Sequence, residues 1–357
     1  MGERKLKGNS RTIDHLNIIT NKKMQTLINV VRKYKLELIT AEKVRSAYKI
    51  TTDNGDFCLK KMRHGRSKVK NGCILTEELL LNNFTNTPKY FRTKDGAFSV
   101  SYKKNVYYLT EWLEGCECDL TDIDEAVNCT KLLAQFHNTS NKIDHNKIRI
   151  PNNLKNWPKI FTNNLNDFKR FERIITGKRI KNEFDIHFLE NIDNFYNRGM
   201  SSIDILNKSQ YYKSSKIAND NKIICHNNFC YQNIIKKDGE YFIINLDSIM
   251  IDLQISDLGK LIRRLMFEKA YGWNFNFAKV LIEAYNSTNK LNKEDLEIML
   301  ALIIFPHKFW KLAKKRYMKQ KKWSETKYLH KLNKITRHNE AQEKFFNEYL
   351  IFLEEYS

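Results

Sequence analysis

Proline and glycine are scarce in this sequence, with only four prolines and twelve glycines among 357 residues. Such a composition argues against a long flexible linker between separate domains. The seven cysteines are odd in number and scattered, and no two of them have the CxxC spacing. We therefore expect no zinc site, and we expect synthesis in a reducing compartment.

A long apolar run is also absent. The longest such run, Ile298–Phe305, is too short to cross a bilayer and is stopped by Pro306. The first residues are polar and basic with no apolar segment behind them, which predicts no secretory signal. The expected product is a protein that is made in the cytosol and has no transmembrane segment.

Acidic residues are outnumbered, since 62 Lys and Arg face 41 Asp and Glu, and the net charge is +21. A basic surface of this kind suits nucleic acid, acidic polymers or anionic lipid. However, Lys far outnumbers Arg and is spread along the chain with Asn and Ile, as in proteins from AT-rich genomes. Only Lys311–Lys322 concentrates the charge, so we predict no specific nucleic-acid partner.

Apolar periodicity predicts a small sheet with helices and then a mostly helical region, which is an α+β layout. We expect strands over Leu36–Met62 with a hairpin turn at Asn54-Gly55, and a second hairpin turn at Asp95-Gly96. Thr121 or Asp122 should cap a helix that ends at His137. The predicted helices are residues 14–34, 72–84, 122–137, 161–171, 184–196, 258–271, 277–286, 296–317 and 338–355. The predicted division lies between an N-terminal lobe, residues 1–110, and a C-terminal lobe, residues 111–357.

Residues 225–257 have the outline of a phosphotransferase active site. His226 precedes Asn233 by seven residues, and two apolar strands joined at residues 237–239 lead to Asp247. Phosphoryl transfer from ATP needs a cation on the nucleotide phosphates, metal ions held by a carboxylate and an amide, and a base beside the acceptor hydroxyl. Asn233 offers an amide oxygen for a metal, and Asp247 ends the strand where a metal-binding aspartate is expected.

Lys60, at the end of the strand Phe57–Lys60, is the candidate cation for the nucleotide phosphates. A glutamate on the next helix, Glu77 or Glu78, would pair with it, as in kinases. The alternative is that Lys60 is one surface lysine among many, with Lys61 beside it. The succession of strand and helix favours the first interpretation.

Taken together, these segments resemble the CotS family of kinase-like spore coat proteins, within the aminoglycoside-phosphotransferase-like superfamily. The resemblance covers nearly the whole chain and rests on residues 55–60 (GDFCLK), 110–119 (TEWLEGCECD), 133–137 (LAQFH), 183–185 (EFD), 257–264 (DLGKLIRR) and 305–310 (FPHKFW). It implies a bilobal protein-kinase-like fold with a β-rich N-lobe, a helical C-lobe and a hinge at Glu111–Gly115. It also implies a nucleotide site that includes Lys60, Glu78, Glu111, Trp112 and Leu113.

Two residues depart from the superfamily pattern at the reacting centre. Asn228 stands at the position of the aspartate base, and an amide cannot take a proton from a hydroxyl at neutral pH. General-base help of that kind is worth about 10²–10⁴ in rate. When the chain is aligned through Asp252 and Asp257, Asn245 replaces the principal metal aspartate, while Asp247 stays a candidate ligand nearby.

A phosphate-binding loop is missing as well, because Ala41–Tyr48 contains no glycine that would let backbone amides approach a phosphate. The three losses predict a degenerate catalytic loop and no bound cofactor. The resemblance then implies a structural or assembly role with other spore coat proteins, after synthesis in the mother-cell cytoplasm and deposition in the spore coat. The alternative is an active or weak small-molecule phosphotransferase that uses Lys60, Asn233 and Asp247 with ATP and Mg²⁺.

Overall fold

The computed structural model describes residues 19–63 and 65–356. The chain divides into two compact units. One unit runs up to Lys70 and resumes over Lys89–Trp112, and the other comprises Asn71–Pro88 and the chain from Leu113 onward. Among the described residues, no helix is both long enough and apolar enough to cross a membrane.

The first unit contains the strands β1 (Leu38–Val44), β2 (Ala47–Thr52), β3 (Gly55–Met62), β4 (Tyr90–Phe91), β5 (Val100–Tyr102) and β6 (Asn105–Glu111). They form one antiparallel sheet in the order β1-β2-β3-β6-β4, and β5 also pairs with β6. Helix α1 (Asn21–Val31) buries Leu27, Val30 and Val31 in an apolar cluster with side chains of this sheet. The first five residues of the predicted helix 14–34 lie outside the described residues.

The predicted hairpin turn at Asn54-Gly55 is confirmed. It joins β2 to β3, and Gly55 has a φ of +105°, which glycine adopts without a steric penalty. A tight turn does form at Asp95-Gly96, where the backbone N–H of Gly96 donates to the carbonyl of Thr93 and that of Thr93 donates to the carbonyl of Ala97. The predicted hairpin of strands is wrong, however, because β4 and β5 on either side of the turn each pair with β6. The strand hairpin is at Lys103–Lys104, which joins β5 to β6.

Helix α2 (Arg66–Leu81) begins in the first unit and ends in the second. The second unit is otherwise built from helices that are joined by short strands. The helices are α3 (Ile123–Ser140), α4 (Trp157–Thr176), α5 (Glu183–Lys208), α6 (Tyr211–Asp220), α7 (Gln254–Met266), α8 (Phe275–Asn286), α9 (Lys293–Ile304), α10 (His307–Ala313), α11 (Glu325–Thr336) and α12 (Asn339–Glu355). The strands are β7 (Cys116–Glu117), β8 (Ile224–Cys225), β9 (Ile234–Lys237), β10 (Glu240–Ile243) and β11 (Met250–Ile251).

The structure confirms most of the predicted helices, decides between the two predicted caps of α3 and corrects two points. Asp122 is the residue that caps α3, since its side chain accepts the backbone N–H groups of Asp124 and Glu125. Helices α6 and α11 were not predicted, because their sequences are largely polar. The single helix predicted over 296–317 is wrong: α9 ends at Ile304 and α10 begins at His307. Pro306 lies between them and has no N–H with which to continue the first helix.

The break at Pro306 directs two phenylalanines into the core of the second unit. The Phe305 ring stacks on Phe161 of α4, with centroids 3.7 Å apart. Phe309 stacks on Phe188 and Phe195 of α5 at 4.3 and 4.1 Å. Aromatic pairs of this kind are worth about 0.5–1.5 kcal/mol beyond their buried area. The aromatic residues on either side of Pro306 therefore pack the junction of α9 and α10 against α4 and α5.

Candidate functional site

Short strand pairs flank the loop that carries His226. Before the loop, β8 pairs with β11, and after it β9 pairs with β10 through a tight turn at Asp238-Gly239. Strand β9 also pairs with β7, which follows Gly115. A Cβ atom at Gly115 would clash with the carbonyl oxygen of Lys236, so this close approach of two backbones requires glycine.

His226 holds the start of the loop in a defined shape. Its side chain is fully buried, and Nε2 lies 3.0 Å from the carbonyl oxygen of Ile244. The backbone N–H of Asn228 donates to Nδ1 at 3.3 Å. A carbonyl can only accept, so Nε2 carries the proton and Nδ1 does not. Burial lowers the pKa of His226, which keeps the ring neutral, and the histidine acts by positioning the loop.

Asp257, on α7, anchors the next residue of the loop. Its two carboxylate oxygens accept the backbone N–H of Asn227 at 3.0 and 3.1 Å. His137 Nε2 and Lys260 Nζ lie 3.4 and 3.7 Å from the same carboxylate. Burial alone would raise the pKa of Asp257, but the contact with His137 and the charge of Lys260 hold it below the ordinary value. The carboxylate is therefore ionised.

Two further residues, Tyr285 and Cys225, join Asp257, His137 and Lys260 in what we call the supporting cluster. The Tyr285 hydroxyl lies 2.7 Å from His137 Nδ1. His137, Cys225 and Asp257 place their potential ligand atoms within 4.8 Å of one another. Burial raises the pKa of the Cys225 thiol, so the thiol is protonated when no metal is bound. We interpret the cluster as a support for the loop. Its signals in the sequence were the segments LAQFH, which ends at His137, and DLGKLIRR, which begins at Asp257.

The polar side chains of the loop form a second group, the amide network of Asn228, Asn233 and Asn245. The side chain of Asn233 donates through Nδ2 to the backbone carbonyl of Asn228 at 2.8 Å. Its Oδ1 accepts a hydrogen bond from Nδ2 of Asn245. Asn245 has a left-handed backbone, with a φ of +70°, which asparagine tolerates better than most residues.

The hydrogen bonds fix which way each amide faces. Because the carbonyl of Asn228 only accepts, Asn233 must turn its NH₂ group toward it and its oxygen toward Asn245. Asn245 must then offer its NH₂ group to Asn233. Two of the three residues that the sequence offered as metal ligands, Asn233 and Asn245, are thus bonded directly to each other.

Two aspartates follow this network. Asp247 lies in a single 3₁₀ turn, Leu246–Ser248, directly after Asn245. Asp252 is buried and accepts hydrogen bonds from Asn153 Nδ2 at 2.8 Å and from the backbone N–H of Leu253 at 2.9 Å. Burial raises the pKa of Asp252. Its contacts connect the end of β11 to the chain before α4.

Glu78 has a partner that the sequence did not suggest. It is buried on α2, and its carboxylate lies 2.7 Å from Nζ of Lys147 in the same unit. This ion pair links α2 to the segment that follows α3. No local pattern predicts this pair, because the two residues are 69 positions apart.

Three of the other predicted nucleotide residues lie in the first unit, on strands β3 and β6 or directly after β6. Lys60 on β3 lies opposite Tyr108 of β6, with Nζ 5.8 Å from the tyrosine ring centroid. Glu111 ends β6, and its side chain accepts the backbone N–H of Lys89 at 3.4 Å. The ring of Trp112 lies under Nζ of Lys49 at 5.3 Å. Leu113 is the first residue of the second unit after this strand.

A family profile described as "Spore coat putative kinase YutH" matches residues 28–349. The chain belongs to this family. "Spore coat protein S" of Bacillus subtilis is 26% identical to it over 260 residues, which cover 72% of this chain and 73% of that protein. The expected membership in the CotS-like group of kinase-like spore coat proteins is confirmed.

Solved structures show which fold the family has. An aminoglycoside phosphotransferase from Alicyclobacillus acidocaldarius superposes with a TM-score of 0.79 at 17% identity and covers 92% of this chain and 96% of its own. A spectinomycin phosphotransferase solved with ADP and spectinomycin gives a TM-score of 0.57 at 13% identity, with 90% and 98% coverage. The predicted α+β fold of the aminoglycoside-phosphotransferase-like kinases is therefore confirmed.

Proposed function

We propose that this protein is a kinase-like component of the spore coat that has lost phosphotransfer chemistry and acts in coat structure or assembly. The hydrogen bond between the side chains of Asn233 and Asn245 is the observation that carries the proposal. This bond joins two of the candidate metal ligands directly to each other.

The chemistry of this pair does not fit a Mg²⁺ site. Magnesium sites in phosphotransferases use carboxylates, which supply both oxygen ligands and negative charge. An aspartate at position 245 would face the oxygen of Asn233 with a second acceptor, and a cation between them would relieve the repulsion. Asn245 instead donates its own N–H to the oxygen of Asn233. The two side chains are therefore uncharged and hydrogen-bonded to each other without a cation. No phosphotransfer step follows from these residues.

The position of the catalytic base supports the same proposal. The backbone of Asn228 is fully used, since its N–H donates to His226 and its carbonyl accepts from Asn233. Its exposed side chain is an amide, which has no basic lone pair at neutral pH. The loop therefore has the shape of a catalytic loop without a group that removes a proton.

Family membership supports the location and the partners that we propose. The family description and the Bacillus subtilis relative both refer to the spore coat. We infer synthesis in the mother-cell cytoplasm, deposition in the spore coat and association with other coat proteins. The net charge of +21 suits acidic partners in that layer.

A second candidate function is a weak ATP-dependent phosphotransferase for a small molecule. Asp247 favours it, because a carboxylate two residues from Asn245 would serve as the metal ligand. The solved spectinomycin phosphotransferase, which contains ADP, has the same fold. In this alternative, Lys60 contacts the nucleotide phosphates, and Asn233 and Asp247 bind Mg²⁺.

Thermal unfolding with ATP and MgCl₂ separates the two candidates. A protein that binds a ligand only when folded gains stability as the ligand concentration passes its Kd. We expect no rise in Tm for the wild type and no difference between Lys60→Ala and the neighbouring control Lys61→Ala. A metal-dependent rise in Tm, together with phosphate release that Lys60→Ala abolishes and Lys61→Ala retains, would establish the second candidate.

The coat role is tested in the sporulating organism that encodes the protein. A fluorescent fusion should encircle the forespore, and the Asp247→Asn fusion should do so equally, because coat association does not use the candidate metal ligand. Diffuse fluorescence of the wild-type fusion throughout sporulation would contradict the coat assignment. Loss of the ring only in Asp247→Asn would point to a working metal site.

A further inference from the structure

A small cavity lies at the junction between α9 and α10, in the second unit. Its volume is ≈ 20 Å³, and its polar lining comes from Arg198, Arg263, Trp273, His307, Lys308 and Gln342. A buried water needs about 10–15 Å³, so the enclosed space holds a water or one end of a larger group. Lys308 is exposed, which places it where the cavity reaches the surface. None of the lining residues belongs to the loop 225–257.

Positive charge around this cavity is not balanced by acidic side chains. Arg263 donates from Nη1 to the backbone carbonyl of Leu302 at 2.7 Å. Lys308 Nζ lies 3.2 Å from the ring centroid of Phe267, and Lys311 follows one turn later on α10. Within residues 19–63 and 65–356, no carboxylate lies at ion-pair distance from any of these three cations. Arg198 alone has one, Glu343, at 3.5 Å.

The titration of these groups reflects the crowding of like charges. Burial, with the charge of Arg264, lowers the pKa of Arg263 to about 10. Burial and the charges of Lys334 and Arg263 lower the pKa of Lys308 to about 8, against a weaker opposite effect of Glu268. His307 has a pKa well below its ordinary value because of burial, Arg263 and Lys311. An anion bound in the cavity would offset the positive charge that lowers the pKa values of Arg263, Lys308 and His307.

Two buried hydrogen-bond donors of the lining have no acceptor among the described residues: Nε of Arg198 and Nε1 of Trp273. Each of these two residues is only 4% exposed. Arg198 uses its other nitrogens on Gln342 and Asn339, which fixes the guanidinium in place. Buried donors in folded proteins are almost always satisfied, so the cavity lacks an acceptor that belongs there.

We propose that this cavity binds the anionic end of a ligand, a phosphate or a carboxylate. One or two oxygens enter the enclosed space, accept from Arg198 and Trp273, and lie against the charge of Arg263. The rest of the ligand remains at the open side near Lys308. Charge-assisted hydrogen bonds to an oxyanion are about twice as strong as neutral ones, which makes several such donors sufficient for a specific site.

Titration calorimetry of the full-length protein with sodium phosphate and with sodium acetate, at constant ionic strength, tests the proposal. We expect saturable binding of one anion per chain, and a rise in Tm with the same concentration dependence. Arg263→Gln and Lys308→Gln should each raise the Kd by about tenfold, because each variant loses one charged contact with the anion. Lys308 is exposed, so its variant should fold even if Arg263→Gln does not.

Lys279→Gln is the matched control, because Lys279 also lies over an aromatic ring, Phe352 at 5.6 Å, but does not line the cavity. Its Kd should equal that of the wild type. Tighter binding of phosphate than acetate would assign a phosphorylated ligand, and the reverse order would assign a carboxylate. Absence of saturable heat with both anions would overturn the proposal, and so would equal weakening in Lys279→Gln.

Discussion

Two groups of side chains in the second unit contact the same loop and differ in their chemistry. The supporting cluster keeps an ionised carboxylate, Asp257, against His137 and Lys260. The amide network, in contrast, consists of neutral side chains, and the family resemblance implies carboxylates at two of its three positions, 228 and 245. The contacts that give the loop its shape are therefore separate from the groups that would react, so the fold is compatible with the loss of phosphotransfer chemistry that we propose.

Removal of the charge in the supporting cluster should have the largest effect. Asp257→Asn removes the buried negative charge that faces Lys260 and His137, and it places an NH₂ group near the backbone N–H of Asn227. Breaking a buried ion pair costs about 3–5 kcal/mol, so we expect a loss of about 3 kcal/mol in the free energy of unfolding, measured with urea.

Asp204→Asn is the control for that variant. Asp204 pairs with Lys208 at 2.8 Å on the exposed face of α5. Exposed pairs contribute about 0–1 kcal/mol, so its unfolding curve should nearly coincide with that of the wild type. If the two variants lose equal stability, the supporting cluster does not have the role assigned to it.

A fall in pH should protonate Asp257 and remove its contribution to the stability of the protein. The pKa of Asp257 in the folded protein lies below 3.8, its ordinary value. Its stabilising contribution is therefore complete above about pH 3.8 and is lost as the pH falls through the lower folded pKa. Urea unfolding of the wild type and Asp257→Asn from pH 7 to pH 3 should show a difference that is constant at first and then shrinks. A difference that grows with acid would contradict this sign.

Asn245→Asp should introduce a metal requirement into the amide network. Two acceptors would then face each other, at a cost of about 1–3 kcal/mol in the absence of a cation. MgCl₂ or CaCl₂ should restore the lost Tm. The matched control is Asn152→Asp, since Asn152 also donates to an asparagine, Asn219, but at an exposed place. A metal-dependent Tm in wild type, or none in Asn245→Asp, would contradict the interpretation of this pair.

Asn228→Asp should have the smallest effect. Its side chain is exposed, and surface changes usually stay within about 0.5 kcal/mol. It restores a base but leaves Asn245 in place, so we expect no phosphate release from ATP in the presence of Mg²⁺. Measurable turnover by this single variant would show that the metal site works with Asp247.

Local patterns in the sequence predicted much of the fold, because amphipathic periodicity and turn chemistry depend on neighbouring residues. The turn at Asn54-Gly55 and the cap at Asp122 are of this kind. The hairpin at Asp95-Gly96 failed because strand pairing depends on which distant strand is available, and β6 is the common partner. The single helix predicted over 296–317 is wrong because apolar periodicity continues across Pro306, whereas the backbone hydrogen bonds of the helix do not.

For the candidate site, too, the sequence predicted some features and the tertiary structure decided others. The sequence by itself determined that positions 228 and 245 have amides and that no glycine loop precedes Lys60, because these are matters of residue identity. Only the tertiary structure decided that Asn233 and Asn245 bond to each other, that Glu78 pairs with Lys147, and that His137 meets Asp257. Such contacts join residues far apart in the chain, and their geometry arises from the packing of whole helices and strands rather than from any local pattern.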